Sequence, residues 1–346
     1  MATLKEISLK AGVSVSTVSL VLNNRDAGRV KAHIAERVRK VAQDLGYHPN
    51  LMARGLRTNH TRILGFLSEE VATTPYAGGM ILGAQEAARK NGYVLITVST
   101  DGENSEDAEI AVLERYGVDG FFYAKMSNRF TTVPSRLSNY PVVLLDAVDS
   151  HNTVTSITPN ELLIGYDATK KLIDAGCTRI AYIGCSEPML AQGKRLEGYK
   201  KALTEAKLPI DENLIINVFN NGPALHAVEK LMCTYNPDGY FCFNDARAWY
   251  VYESAARSGL TIGRDISVVG VDNHRVLAET LSPQLTTVEL PHYEMGYWAA
   301  CKLISMIEDC DTSKFALPST RSPLPSLANN GTVTIHCALI DKESVQ

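Results

Sequence analysis

The sequence predicts a small all-α helix-turn-helix head plus an α/β body of two parallel-sheet lobes, and three observations carry that assignment. Short helical runs fill the first sixty residues, an alternation of strands and helices fills the rest, and charge divides between the two parts. Residues 1–60 hold 10 Lys and Arg against 4 Asp and Glu, a net +6, whereas the remaining 286 hold 24 against 34, a net −10. A cationic head on an acidic body is the distribution expected when one module must neutralise phosphates and the other need not.

Thr3 and Glu6 have the spacing of a capping box, in which hydroxyl and carboxylate each satisfy a free backbone N–H, so a first helix starts near Leu4. Gly12 can take the left-handed backbone that ends it, and Ser14 can cap a second helix whose inward face carries Val18, Val21 and Leu22. Val15, Ser16 and Leu20 then lie on the outer, N-terminal part of that helix, where base edges are read. Ser14, Thr17, Ser19 and Asn23 are placed for phosphate contacts, which fix register without reading sequence. Ile34, Val38, Val41, Ala42 and Leu45 make one apolar stripe of a third helix, which Gly46 and Pro49 stop.

After the head, 286 residues exceed what one compact core usually holds and predict two lobes. Strand and helix patterns alternate: Ile63 to Leu67, Gly79 to Asn91, Tyr93 to Val98, Ser105 to Tyr116, Val118 to Tyr123 and Val142 to Leu145. The rhythm breaks over Ser150 to Pro159. It resumes with a helix over 160–175, a strand over 179–184 and helix–strand units to Val271, and Gln284 to Leu290 reads as a crossing strand. Short buried strands interleaved with helices imply parallel sheets covered on both faces. The domain division is 1–48 for the head, 49–61 for a linker and 62–346 for the body. Lobe 1 takes about 62–159 and 290–322, and lobe 2 about 160–289 and 323–346, with the Pro- and Ser-rich run 317–325 crossing back between them.

Composition is that of an ordinary globular chain, 45% apolar and 21% charged. No stretch reaches the length of a membrane span and the N-terminus lacks a signal-peptide apolar run, so a cytoplasmic protein without a membrane partner is expected. The seven cysteines form no CxxC pair, and His151, His226, His274 and His292 are isolated. Neither a GxSxG elbow nor HExxH, a phosphate-cradling GxxxxGK[ST] or a GxGxxG after a strand occurs, so no catalytic residue, metal or cofactor is expected.

In parallel sheets ligands sit beyond the carboxyl ends of strands, which singles out Asp146, Asn244 and Asp272. Arg195 follows the strand ending near Gly184, Phe219 trails the strand ending at Val218, and Tyr76 opens the first helix of the body. Carboxylates, an amide and a guanidinium beside aromatic faces suit a polyhydroxylated ligand, a sugar or sugar derivative.

The run from Leu4 to Asn23, then Leu45-Gly46-Tyr47-His48-Pro49-Asn50 and Ala53-Arg54-Gly55-Leu56, resembles the lactose-repressor/galactose-repressor (LacI/GalR) family of bacterial transcription regulators. The later motifs Arg195-Leu196-Glu197-Gly198-Tyr199, Phe243-Asn244-Asp245 and Val269-Gly270-Val271-Asp272-Asn273 extend the likeness over nearly the whole chain. The resemblance implies a body of periplasmic-binding-protein type and a homodimeric regulator, a repressor whose grip on operator DNA is set by a small effector between the lobes. It also implies a hinge helix from Pro49 to Leu56, with Ala53 and Arg54 at the DNA and Leu56 wedged into the minor groove. Arg195, Asn244 and Asp272 would touch the effector, Phe219 would stack on it, Asp146 would be a first-lobe acceptor, and Tyr76 would match a more variable contact. A purine-responsive, co-repressed regulator and a solute-binding protein without a DNA role are the alternatives. Lys31 stands where relatives cap the third helix with a hydroxyl, and Leu20 where many carry a polar reader. Met189, Ala191 and Leu290 replace polar groups, Pro159 an aspartate, and Trp249 and Tyr250 small residues, which predicts a drier and more aromatic pocket.

Overall fold

The computed structural model describes residues 2–23, 25–47, 60–69, 71, 74, 77–100 and 106–346. The chain divides into two units, Met1–Arg62 and Ile63–Gln346. In the first, helices α1 (Leu4–Ala11), α2 (Val15–Leu22) and α3 (Ala32–Asp44) enclose Ile7, Ala11, Val18, Val21, Ala35, Val38 and Ala42. Local chemistry sets the helix ends. The Glu6 N–H donates to Thr3 Oγ1 at 3.3 Å while the Thr3 N–H donates to Glu6 Oε2 at 2.7 Å, closing the capping box. Gly12 ends α1 at φ 63°, and Ser14 Oγ accepts from the Thr17 N–H at 3.1 Å to start α2. Lys31, at the start of α3, supplies no side-chain cap. The stretch carrying Pro49, Ala53, Arg54 and Leu56 lies outside the described residues.

The second unit holds two six-stranded sheets. Strands β1 (Ile63–Glu69), β2 (Val94–Thr100), β3 (Gly120–Thr131), β4 (Val142–Asp149), β5 (Thr155–Pro159) and, near the chain's end, β11 (Thr332–Ile335) form the first, in order β11-β5-β4-β3-β1-β2 and parallel throughout. The second combines β6 (Ile180–Cys185), β7 (Ile215–Val218), β8 (Gly239–Cys242), β9 (Ser267–Asp272), β10 (Thr286–Glu289) and β12 (Leu339–Ile340), in order β12-β10-β9-β8-β6-β7. β12 is its antiparallel edge. Along β3, Phe122 and Ala124 join one core and Phe121 and Tyr123 another, as alternation in a strand covered on both faces requires.

Helices α4 (Gly78–Lys90) and α5 (Glu106–Arg115) precede β2 and β3, and α6 (Glu161–Asp174), α7 (Leu190–Glu205), α8 (Gly222–Tyr235) and α9 (Asp245–Ser258) are interleaved with β6 to β9. After α10 (Arg275–Thr280) and β10, helix α11 (His292–Ile307) returns to the first lobe, where Trp298, Leu303 and Ile304 share a core with Phe66 and Phe122. The sequence reading missed α11, α10, β5 and the last two strands. It also assigned 323–346 to the second lobe, which the pairing corrects: Thr332–Ile335 lies parallel beside β5 in the first sheet, and the chain crosses only at 336–338. The Pro- and Ser-rich run is held on the first lobe, because Trp298 Nε1 donates to Pro325 O at 2.9 Å and Lys302 Nζ to Leu327 O at 2.9 Å.

Among the described residues, two helix pairs approach closely enough to require glycine. A Cβ at Gly83 of α4 would sit 2.0 Å from Tyr293 O on α11, and one at Gly165 of α6 would sit 2.0 Å from Arg195 O on α7. The facing Gly296 and Gly198 are crowded in return, at 1.9 Å from Met80 O and 2.1 Å from Leu162 O. A Gly165→Ala substitution should therefore push α7 off α6 and cost roughly 1–3 kcal/mol, the usual range for overpacking, read as a lowered denaturation midpoint of the body.

Candidate functional site

Two surfaces can carry function, one on each unit. On the first unit, the start of α2 presents Val15, 43% exposed, together with exposed Ser16, while Leu20 one turn on is half-buried. Of the polar residues beside them, Ser14 and Thr17 share a hydroxyl hydrogen bond at 2.9 Å, and Asn23 Nδ2 donates to Ser19 O at 2.6 Å. These local bonds fix the polar side chains beside Val15 and Leu20.

On the second unit, the carboxyl ends of strands from both sheets surround a cavity of about 620 Å³. Asp146, Arg195, Asn244 and Asp272 all line it; Asn244 and Asp272 stand at strand ends as expected, whereas Asp146 lies within β4, which runs on to Asp149. Tyr76 lies outside the described residues. Phe219 is not part of the lining and is 54% exposed. After β7 the chain turns sharply, the Asn221 N–H donating to Phe219 O at 3.0 Å, so that Asn220 reaches the cavity instead.

Arg195 enters from α7 and is 3% exposed. Its Nε donates to Glu161 Oε2 at 2.6 Å, its Nη1 donates to Phe243 O at 2.5 Å, and its guanidinium lies 4.4 Å from the centre of the Phe243 ring. Burial works against the charge, but Glu161 outweighs it and raises Arg195 above its ordinary value. Glu161 sits in the first turn of α6, and neither it nor its pairing was read from the sequence.

Asn244 caps α9, its Oδ1 accepting from the Arg247 N–H at 3.1 Å and from Arg247 Nη1 at 3.1 Å, which leaves the amide NH2 as the group it can offer a ligand. Arg247, also unforeseen, gathers the ends of two strands by donating to Gly184 O at 3.2 Å and Val218 O at 3.1 Å. It reaches Glu187 Oε2 at 3.3 Å. Behind Asn244, the Asp245 carboxylate accepts from Thr287 Oγ1 and from the His274 N–H, both at 2.7 Å. Burial pushes its carboxyl up to about 7 against those bonds.

Asp146 and Asp272 complete the acceptors. Both have positive φ, 50° and 112°, a backbone region costly to residues other than glycine and concentrated at functional sites. The Asp146 carboxylate accepts from the Ser127 N–H at 2.8 Å and the Asn128 N–H at 3.2 Å. Burial first, and the Glu161 charge second, push its carboxyl up to about 8.

Among the described residues, the lining differs from the drier, more aromatic pocket expected from the sequence. Met189 and Leu290 do line the cavity, but so do Arg129, Arg195 and Arg247 with Asp146, Glu161, Glu187 and Asp272, and among the described residues Phe243 is the aromatic one in the lining. Trp249 is 41% exposed on the outside, and Tyr250 donates its hydroxyl to Asn220 Oδ1 at 2.9 Å from outside the lining. Among the described residues no cluster of His, Cys, Asp or Glu could hold a metal, and no helix is long and apolar enough to cross a membrane.

Comparison with known proteins finds matches to parts of both units. The family described as bacterial regulatory proteins, lacI family, matches residues 3–50, and a periplasmic binding protein-like domain matches residues 169–327. The chain is 34% identical over 319 residues to the HTH-type transcriptional repressor PurR of Vibrio atlanticus, covering 91% of this chain and 94% of that protein. It is 33% identical over 313 residues to the ribose operon repressor of Haemophilus influenzae, covering 89% and 93%. The lac repressor dimer bound to operator and the anti-inducer ONPF superposes with a TM-score of 0.76 at 20% identity, over 99% of this chain and 98% of that one.

The proton on Asp146 makes a test. An unfolded aspartate ionises near 4, whereas the folded one holds its proton to about 8, so across that window the folded state binds more protons and stability falls as pH rises. An Asp146→Asn variant should therefore gain stability relative to the parent progressively from pH 4 to pH 8. Urea denaturation across that window checks it; a difference that does not change with pH would contradict the assignment.

Proposed function

This chain belongs to the lacI family of bacterial regulatory proteins, a family of DNA-binding transcriptional regulators, and on that premise we propose that it is a cytoplasmic repressor that works as a homodimer and responds to a sugar or sugar derivative held in the body cavity. It acts by binding, as the repressors it resembles do. The observation that carries the sugar reading is the convergence of Asp146, Asn244, Asp272 and Arg195 on one cavity of about 620 Å³. The Asp272 carboxylate accepts from adjacent hydroxyls, Asp146 accepts or donates according to its proton, the Asn244 amide donates, and Arg195 is neutralised by Glu161, so the walls do not demand a charged ligand.

On the DNA side, Val15, Ser16 and Leu20 would read bases in the major groove while Ser14, Thr17, Ser19 and Asn23 hold phosphates. Leu20 cannot hydrogen-bond and suits a thymine methyl. Ala53, Arg54 and Leu56 would serve as the minor-groove element, Leu56 unstacking a base step. Two copies are needed to read a near-palindrome, and exposed Leu82 on α4 and Val94 on the edge strand β2 offer apolar surface for a partner copy. An effector that prefers one arrangement of the lobes shifts the population of the operator-competent state.

Two outcomes are expected. In a thermal-shift panel of D-ribose, D-glucose, cellobiose, a hexose phosphate and adenine, a sugar should raise the melting point, and Asp272→Asn should weaken its affinity about tenfold or more, the loss of a charge-assisted hydrogen bond. A shift with adenine alone would replace the sugar reading with a purine one. In fluorescence anisotropy with a duplex from the chain's own promoter, affinity should fall steeply with salt and Leu56→Ala should weaken it strongly. Binding that ignores salt would remove the DNA role.

A further inference from the structure

The Asp146 carboxylate is held from β3 rather than from its own strand, and what holds β3 lies outside the ligand cavity. Strands β3 and β4 stay in register to Ala124 opposite Leu145 and resume at Arg129 opposite Ala147, so Lys125 to Asn128 stand against Asp146 alone. Left-handed backbone takes up the excess, with φ 69° at Ser127, 46° at Asn128 and 50° at Asp146. None of the three is glycine, so neighbours must impose this shape. It aims two successive N–H groups at the two carboxylate oxygens of Asp146, the concave backbone arrangement that suits an anion.

Both ends of the bulge lead to one side chain. Glu69, the last residue of β1, accepts from Lys125 Nζ at one end and from Arg129 Nη1 at 3.1 Å at the other. Arg129 also donates through Nε to Met126 O at 3.1 Å, closing the turn on itself. Lys125, 3% exposed, is shared with Glu106 at 2.6 Å, whose same oxygen accepts from the Tyr123 hydroxyl at 2.8 Å. Glu69 and Lys125 do not line the cavity, whereas Arg129 does.

We propose that Glu69 is a positioning residue for effector binding: by gripping Lys125 and Arg129 it fixes the β3 bulge, whose Ser127 and Asn128 N–H groups orient the Asp146 carboxylate. Glu106 keeps Lys125 paired when Glu69 is altered, so the fold tolerates the change while the bulge loosens. The inference rests on Asp146 being an effector ligand, but its structural half can be read with no ligand present. In full-length Glu69→Gln, amide hydrogen exchange at Ser127 and Asn128 should quicken about tenfold or more while amides of the second sheet keep their rates. Affinity for whichever of D-ribose, D-glucose or cellobiose stabilises the parent should fall about tenfold, and Glu69→Asp should recover part of both effects. The Asp146 titration, followed by carboxyl-carbon NMR, should move upward in Glu69→Gln as its backbone donors are lost.

Unchanged exchange at Ser127 and Asn128 would overturn the clasp. Faster exchange with unchanged sugar affinity, in a protein whose affinity Asp146→Asn does reduce, would overturn the link from clasp to ligand. Unchanged affinity in Asp146→Asn would overturn the effector role of Asp146 and so that of Glu69, and the exchange data would separate this from failure of the clasp.

Discussion

The effector half of this molecule depends on one buried ion pair, Arg195 with Glu161, and on the glycine that lets it form. Neither side chain is more than 4% exposed, so each charge would be strongly unfavourable alone, and breaking such a pair typically costs about 3–5 kcal/mol. The pair spans two helices rather than one. Glu161 sits one turn before Gly165 on α6, and a Cβ at Gly165 would collide with the α7 backbone at Arg195 itself. The helix contact therefore sets the position of the guanidinium, and the guanidinium then fixes the end of β8 through Phe243 O. Asn244, Asp245 and Arg247 all follow from that strand end.

Charge in the cavity is arranged so that little of it faces a ligand uncompensated. Arg195 is spent on Glu161 and Phe243 O, Arg247 on strand-end carbonyls, and Arg129 on Glu69. The guanidiniums of Arg195 and Arg247 both lie near the Phe243 ring, at 4.4 and 5.2 Å from its centre, which turns an aromatic residue into support for cations. Against that framework the carboxyl groups of Asp146 and Asp272 stand out as the adaptable elements. A fully buried Asp146 near neutrality can accept a hydrogen bond from a ligand or donate one, depending on its proton.

What the sequence disclosed was what local chemistry determines. The capping box at Thr3 and Glu6, the left-handed Gly12 and the Ser14 cap are decided within four residues, and all three form as read. Asp146, Asn244 and Asp272 were legible because each follows a recognisable apolar run. Helix α11 was not, since 12 of its 16 residues are buried and no polar face marks its period. β5 carries Thr, Ser and Pro and pairs with β11 some 176 residues away, so no local pattern announces either strand. Glu161, Arg247, Glu187 and Arg129 are ordinary charges in sequence. Only tertiary approach makes them walls of a site.

The late return of α11 and β11 to the first lobe imposes an order on biogenesis. Strands β1 to β5 leave the ribosome early, yet the helix that covers Phe66 and Phe122 and the strand that flanks β5 are made after the whole of β6 to β10. Until then the nascent first sheet carries an apolar face covered only in part, by α4, and an open edge, a state prone to mispairing. The second lobe, contiguous from α6 to β10 and lacking only the two-residue β12, has its elements together sooner. The lobe translated later thus has its elements together first, and the earlier one is completed at the end.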